Sequence, residues 1–189
     1  MQIIRFAELK AEPWRNGGGV TRELARQAAP DGGWDWRVSI ADVAKAGDFS
    51  AFPGMERVLT VIEGELLVLT VDGAEHPMEK YRPFRFDGGA ATAAKLPTGD
   101  IRDLNVITRA AAYKGYTSII ELSKKRAHPV FGGQLGVLLQ GQAKVGGSTG
   151  EPLELGRYDA VVGSDSDSPE VLGRGFLAVV SIDPLDPAS

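Results

Sequence analysis

The sequence predicts an all-β protein, a barrel or sandwich of many short strands. Three observations carry that prediction. Glycine and proline are frequent, 24 and 11 of 189 residues, and they punctuate the chain every few residues. Between them stand apolar runs of strand length, and one segment alternates with period two. A chain of this size accommodates either one large β domain or two small units sharing a core.

The elements follow in order. Met1–Phe6 (MQIIRF) reads directly into a strand. In Trp34-Asp35-Trp36-Arg37-Val38-Ser39-Ile40-Ala41 the aromatic and aliphatic residues alternate with polar ones, which gives the strand two unlike faces. Val58–Ile62, Leu66–Val71 and Leu135–Leu139 are denser and suit strands buried on both sides. Glu63-Gly64-Glu65 between the first two supplies a tight turn, with Gly64 free to take positive φ. Leu104–Ala112 has helical length, but Asn105, Val106, Ile107 and Thr108 favour a strand. A boundary is expected near Ala110–Tyr113, followed by a strand over Tyr116–Glu121.

A shift of 77 residues lays Val61-Ile62-Glu63-Gly64-Glu65 on Leu138-Leu139-Gln140-Gly141-Gln142 without a gap. The same shift lays Gly73 on Gly150 and Lys80-Tyr81 on Arg157-Tyr158. Two copies of one structural unit follow from this internal repeat.

Composition excludes several functions. A formal charge of −4 leaves no electrostatic footprint for nucleic acid or an anionic membrane, and Lys124-Lys125-Arg126 is a short solvated turn. Without cysteine there are no disulfides, thiolate nucleophiles or iron–sulfur ligands. No apolar run reaches signal-core or membrane-span length, so an unprocessed cytoplasmic protein is expected. The two histidines, His76 beside Pro77 and His128 before Pro129, are read as exposed loop residues. They cannot supply the three or four convergent ligands of a transition-metal site. No metal and no cofactor are expected.

Strand parity nominates a polar pocket. Arg37 and Ser39 share the face opposite the Trp34 and Trp36 set, and Arg57 is carried into an apolar layer with Leu59 and Val61. Asp103, Asn105, Ile107 and Arg109 share one face. If these strands line one barrel, two arginines, an aspartate and an asparagine converge. A buried guanidinium must be paired, so either Glu23 and Asp103 satisfy the arginines as structural ion pairs, or an anionic ligand does. A carboxylate or phosphate fits the planar guanidinium fork.

The segment Asn16-Gly17-Gly18-Gly19 lacks the lysine and Ser/Thr of a phosphate-binding P-loop, because Val20-Thr21 follows it. It reads either as a pocket-mouth loop, with Trp14 as wall and Asn16 and Thr21 as hydrogen-bonding groups, or as a crowded turn.

The strings Trp-Arg-Asn-Gly-Gly-Gly-Val-Thr-Arg-Glu at 14–23 and Gly-Asp-Phe-Ser-Ala-Phe-Pro-Gly-Met-Glu-Arg at 47–57 resemble the signature segments of the HutD/Ves family of bicupins. The resemblance implies two double-stranded β-helix (cupin) barrels. Residues 1–110 would form the first, ligand-binding unit and 111–189 a degenerate, structural second unit. It also places polar residues at Arg37, Ser39, Arg57, Asp103 and Asn105. Where metal-binding cupins carry their motif, this chain has Phe49, Phe52, Pro53, Met55 and Arg57, and arginine cannot ligate a metal.

The family is associated with bacterial histidine utilisation, in a ligand-binding or flux-limiting role. The function expected is therefore metal-independent binding of a small anionic metabolite, of the urocanate, formate or formylated amino acid class, by a monomer or homodimer. Two alternatives stand beside it. One is a metal-free isomerase, epimerase or hydrolase using Asp103 or Glu23 as base. The other is a protein-interaction regulator.

Overall fold

Short strands separated by glycine, proline and aspartate turns make up nearly all of the computed structural model, which describes residues 1–186. In chain order they are β1 (Gln2–Ile4), β2 (Glu12–Pro13), β3 (Gly19–Ala28), β4 (Trp34–Val43), β5 (Gly47–Phe49), β6 (Met55–Glu63), β7 (Leu66–Val71), β8 (Ala74–Glu79) and β9 (Phe84–Asp87). There follow β10 (Thr92–Lys95), β11 (Ile101–Arg109), β12 (Tyr113–Glu121), β13 (His128–Pro129), β14 (Gln134–Gly146), β15 (Leu153–Leu155), β16 (Ala160–Val162) and β17 (Glu170–Pro184). Antiparallel pairing runs through the sheets of both units. One 3-10 turn, Phe6–Glu8, is the helical element among the described residues. None of their helices is long and apolar enough to cross a membrane.

The chain divides into two compact units, one of Lys10–Gly115 with the residues from Asp183, the other of Met1–Leu9 with Tyr116–Ile182. Residues 1–9 therefore belong with the second unit rather than the first, where the sequence reading put them. Their backbone and side-chain partners decide this. Gln2, Ile3 and Ile4 pair with Val162, Val161 and Ala160, the Arg5 guanidinium bonds Asp159 at 2.8 Å, and the Phe6 ring meets Tyr158 edge-on at 5.4 Å.

In the first unit a six-stranded sheet, β2-β3-β4-β11-β6-β9, faces a four-stranded one, β5-β10-β7-β8. Val43, Leu59, Val61 and Ile101 from the larger sheet pack with Leu67, Leu69, Met78 and Ala94 from the smaller. Each of these side chains larger than alanine contributes on the order of 1.5–3 kcal/mol on burial.

Gly64 (φ +89°) stands where the chain passes from β6 to β7. These two strands do not pair, so the Glu63–Glu65 step is a corner between sheets rather than a hairpin turn. A Cβ at Gly64 would lie 2.8 Å from the Asp100 carbonyl, which is why glycine is required there. Two further expectations need correction. In β7 only Leu67 and Leu69 are buried, so that strand has one core face and not two. His76 lies within β8, its ring 4.6 Å from Phe84, and His128 lies within β13; both are half-buried strand residues rather than exposed loop residues.

The 77-residue repeat is visible in backbone detail. Gly64 and Gly141 share positive φ, as do Gly73 and Gly150. Tyr81 and Tyr158 both adopt φ 67°, a left-handed conformation uncommon for a bulky residue. The Tyr81 N–H donates to the Val61 carbonyl at 2.8 Å, and the Tyr158 N–H to the Leu138 carbonyl at 2.6 Å. These are the same residues under the same shift.

The interiors of the two units nevertheless differ. Val61 faces Asp103 across the ladder and Leu59 faces Asn105. The corresponding Leu138 and Gly136 face Leu177 and Val179, which join the second unit's apolar core. Hydrocarbon stands where the first unit carries its acid and amide.

Candidate functional site

Ladder register explains how the polar residues meet. Directly opposed residues in an antiparallel sheet share a face. Thr21, Ala41, Asp103 and Val61 form one such row across β3, β4, β11 and β6. Ser39, Asn105 and Leu59 form the next, and Arg37, Ile107, Arg57 and Phe86 the third. Period-two parity carries these rows into the interior, while Val38, Ile40, Leu104 and Val106 are buried on the sheet's opposite face. Among the ladder irregularities, the one at the start of β4 redirects a ring. Two residues of β4, Asp35 among them, stand against one step of β3 near Ala28, and Trp34 turns to lie under Arg37 instead of joining Trp36.

The rows floor a cavity of about 620 Å³ in the first unit, a volume suited to a small molecule. All eight residues nominated from the sequence line it: Trp14, Asn16, Thr21, Arg37, Ser39, Arg57, Asp103 and Asn105. Phe49, Ser50 and Phe52 also line the wall. Their role was not assigned from sequence, although both phenylalanines lie inside the second signature string.

Aromatic rings hold the two arginines. The Arg57 guanidinium lies 5.7, 5.4 and 5.2 Å from the ring centres of Phe49, Phe52 and Phe86. That of Arg37 lies 5.2 Å from Trp34 and 5.9 Å from Phe52, all within cation–π range. Arg57 is 4% exposed and donates through one terminal nitrogen to the Ser50 carbonyl at 3.2 Å.

The ion pairs considered from sequence do not form. Glu23 pairs with Arg26 at 3.6 Å, and among the described residues no carboxylate reaches Arg37 or Arg57 at ion-pair distance. The buried Nε atoms of Arg37 and Arg57, Oδ1 of Asp103 and Oδ1 of Asn105 have no hydrogen-bond partner among the described residues. Four uncompensated polar atoms around one cavity are costly, since each buried unmet group forfeits about 1–3 kcal/mol.

Electrostatics agree with this geometry. Burial pulls Arg57 down to about 10 although Asp103 opposes the change, and burial likewise lowers Arg37. Asp103, 1% exposed, is pushed up to about 7 by desolvation, against the pull of Arg57 and with a smaller upward push from Asp42. Its carboxyl therefore exchanges a proton near neutrality.

The glycine loop proves to be both a tight turn and a pocket rim. Asn16 Oδ1 accepts from the Gly18 N–H at 2.8 Å, Gly17 takes φ +72°, and the Trp14 indole N–H donates to Thr21 Oγ1 at 2.7 Å. Trp14 meets Phe49 edge-on at 5.5 Å. Thr21 thus spends hydrogen-bonding capacity on positioning Trp14, and Asn16 spends its own on the turn and on the Asp48 carbonyl. A Cβ on Gly19 would lie 2.5 Å from the Asp42 carbonyl and 3.0 Å from the Trp14 ring. Gly19→Ala is accordingly expected to lose about 1–3 kcal/mol and to perturb tryptophan fluorescence, both measurable in one denaturant titration.

Among the described residues no three His, Cys, Asp or Glu side chains gather as a metal-binding group. The cavity offers hydrogen-bond donors and one deeply buried acid, Asp103, with Glu12 and Asp48 also on its wall.

Several known proteins share this architecture. An uncharacterised 21.2 kDa protein from the hutC 3′ region of Pseudomonas putida is 38% identical over 116 residues, 60% of this chain and 61% of that one. Protein Ves of Citrobacter koseri is 34% identical over 140 residues, 73% of this chain and 71% of its own. The structure of HutD from Pseudomonas fluorescens SBW25, solved in a formate condition, superposes with TM-score 0.80 and 31% identity over 98% of this chain and 99% of that one. A cupin 2 conserved barrel domain protein from Leptotrichia buccalis superposes with TM-score 0.62 at 10% identity, over 97% and 96% of the two chains, a likeness of fold. The fold is that of double-stranded β-helix barrels, two in one chain. The HutD family model matches residues 6–179, and the chain belongs to the HutD family.

Proposed function

We propose that the first unit binds a small carboxylate metabolite of histidine breakdown and that the protein, as a monomer or homodimer and without metal, limits or regulates that pathway. The observation carrying this reading is the pair of arginines held by aromatic rings in one cavity, with both Nε donors unpartnered and no carboxylate within ion-pair reach among the described residues. A bound carboxylate supplies the missing acceptors and the missing countercharge. The family name and one relative's place beside hutC support the pathway.

A thermal-shift screen tests it. Urocanate, formate or formylated amino acids should raise the melting temperature, and neutral sugars should not. Saturation a hundredfold over Kd contributes about 2.7 kcal/mol. If no carboxylate in this set shifts the transition, the reading falls.

One observation favours a second reading, that of a metal-free enzyme. A buried acid poised near neutrality is suited to proton transfer. Long incubation of each bound compound with product analysis separates the two. Conversion that disappears in Asp103→Asn would establish catalysis, and recovery of every compound unchanged would favour binding.

A further inference from the structure

The geometry points to proton-coupled capture: the cavity takes its anion together with one proton, which resides on the Asp103 carboxyl, so that a carboxylate and a neutral carboxylic acid share the bound site. This rests on the anion-binding reading above and adds the charge state of the complex to it.

Asp103 sits on β11 between Ala41 of β4 and Val61 of β6, with Oδ1 buried and unpartnered. The charges facing it are few. From β6 comes Arg57 and from β4 comes Arg37, the same donors a ligand carboxylate would use. On β3, Glu23 is engaged by Arg26. Glu12 and Arg15 in the segment before β3, and Asp48 of β5, lie on the cavity wall. Asp42 and Arg102, although adjacent in the ladder, are on the other face and bond each other there.

A carboxylate gripped by Arg57 places a second negative charge beside an acid that has no cation within ion-pair distance among the described residues. Two carboxylates in one desolvated site do not both stay ionised, and one carries a proton. Arg57, lowered only to about 10, keeps its charge below that value, so the proton goes to Asp103. Once protonated, Asp103 becomes an O–H donor able to meet a ligand oxygen, which an ionised Asp103 cannot do. The proton comes from solvent, and no other bond is made or broken.

The test uses formate as probe, titrated at constant ionic strength and followed by tryptophan fluorescence, since Trp14 lines the cavity. Wild-type Kd should be level below pH 6 and rise toward tenfold per pH unit between pH 7.5 and 9, while in Asp103→Asn it stays level throughout. Calorimetry on the wild type in two buffers of different ionisation enthalpy gives an independent readout, usable even if the variant does not fold. About one proton should be taken up per formate above pH 8, and almost none below pH 6. A wild-type Kd equal at pH 6 and 9, zero proton uptake at pH 8.5, or a slope that survives in Asp103→Asn overturns the coupling and leaves anion binding intact. Failure of formate to bind at any pH overturns both.

Discussion

Arg57→Ala should lower affinity for a carboxylate ligand at least about a hundredfold while leaving a cooperatively folded protein. The lost affinity corresponds to one or two charge-assisted hydrogen bonds at about 1.5–3 kcal/mol each. Stability should suffer much less than the ~3–5 kcal/mol that follows removal of one partner from a buried ion pair, because Arg57 has no carboxylate partner and its own desolvation penalty disappears with it. Arg57→Lys should be intermediate, weakening binding by tenfold or more, because an ammonium keeps the charge but loses the two-pronged donor. Arg157→Ala, in the second unit, should change neither property of the pocket. Its Nε bonds the Leu139 carbonyl at 2.9 Å in a unit whose core is apolar. Calorimetry and urea unfolding on the three variants check all of this. Loss of folding in Arg57→Ala with undiminished ligand affinity in Arg57→Lys would mean that the arginine is structural.

The second large effect is a dependence of stability on pH with a sign opposite to that of ordinary surface acids. Asp103 titrates near 3.8 when unfolded and at about 7 when folded. Below the lower value both states are protonated and the residue is neutral to stability. Between the two, the unfolded state has released its proton while the folded state keeps it, so stability falls as pH rises. Above about 7 the loss is complete and level. The shift corresponds to about 4 kcal/mol. It applies to a fully buried group, so solvent screening does not diminish it. Asp103→Asn should therefore match wild type near pH 4 and exceed it by several kcal/mol at pH 8, read as the difference between two urea midpoint curves. Parallel curves from pH 4 to 8 would show that Asp103 is not held in its neutral form.

The fold was largely legible because the chain writes it in period-two alternation and turn glycines. Trp36 to Ala41 predicted two faces, and the ladder places Arg37 and Ser39 on the cavity side and Val38 and Ile40 on the other. Parity also placed Arg57, Asp103 and Asn105 correctly, since regular strands transmit side-chain direction over many residues. It failed where regularity fails. The irregularity at Asp35 turned Trp34 toward Arg37, and no local pattern announces such a step. The tight turn at Glu63–Glu65 was legible but its being a corner between sheets was not, because a glycine with positive φ serves a corner or a hairpin, and only pairing partners that are distant in sequence distinguish them. The same limitation hid the docking of residues 1–9, since the ladder partners of residues 2–4 lie more than 150 positions away. The rings of Phe49 and Phe52 escaped for another reason: apolar side chains in a signature string look like core until the cations they surround are known.

That aromatic cage has a consequence for how quickly a ligand is recognised. A ring attracts a guanidinium through its face without occupying any N–H, so three phenylalanines fix Arg57 in place and leave most of its five donors unspent. A carboxylate partner would fix the side chain equally well but would have to be displaced before a ligand entered. Here the rotamer entropy of a long side chain, up to ~2 kcal/mol, is lost when the protein folds rather than when the ligand arrives. Association then requires no breaking of an internal salt bridge and little rearrangement of the wall. Weak ligands such as formate should equilibrate in the stopped-flow dead time, with differences in affinity among carboxylates residing almost wholly in their dissociation rates.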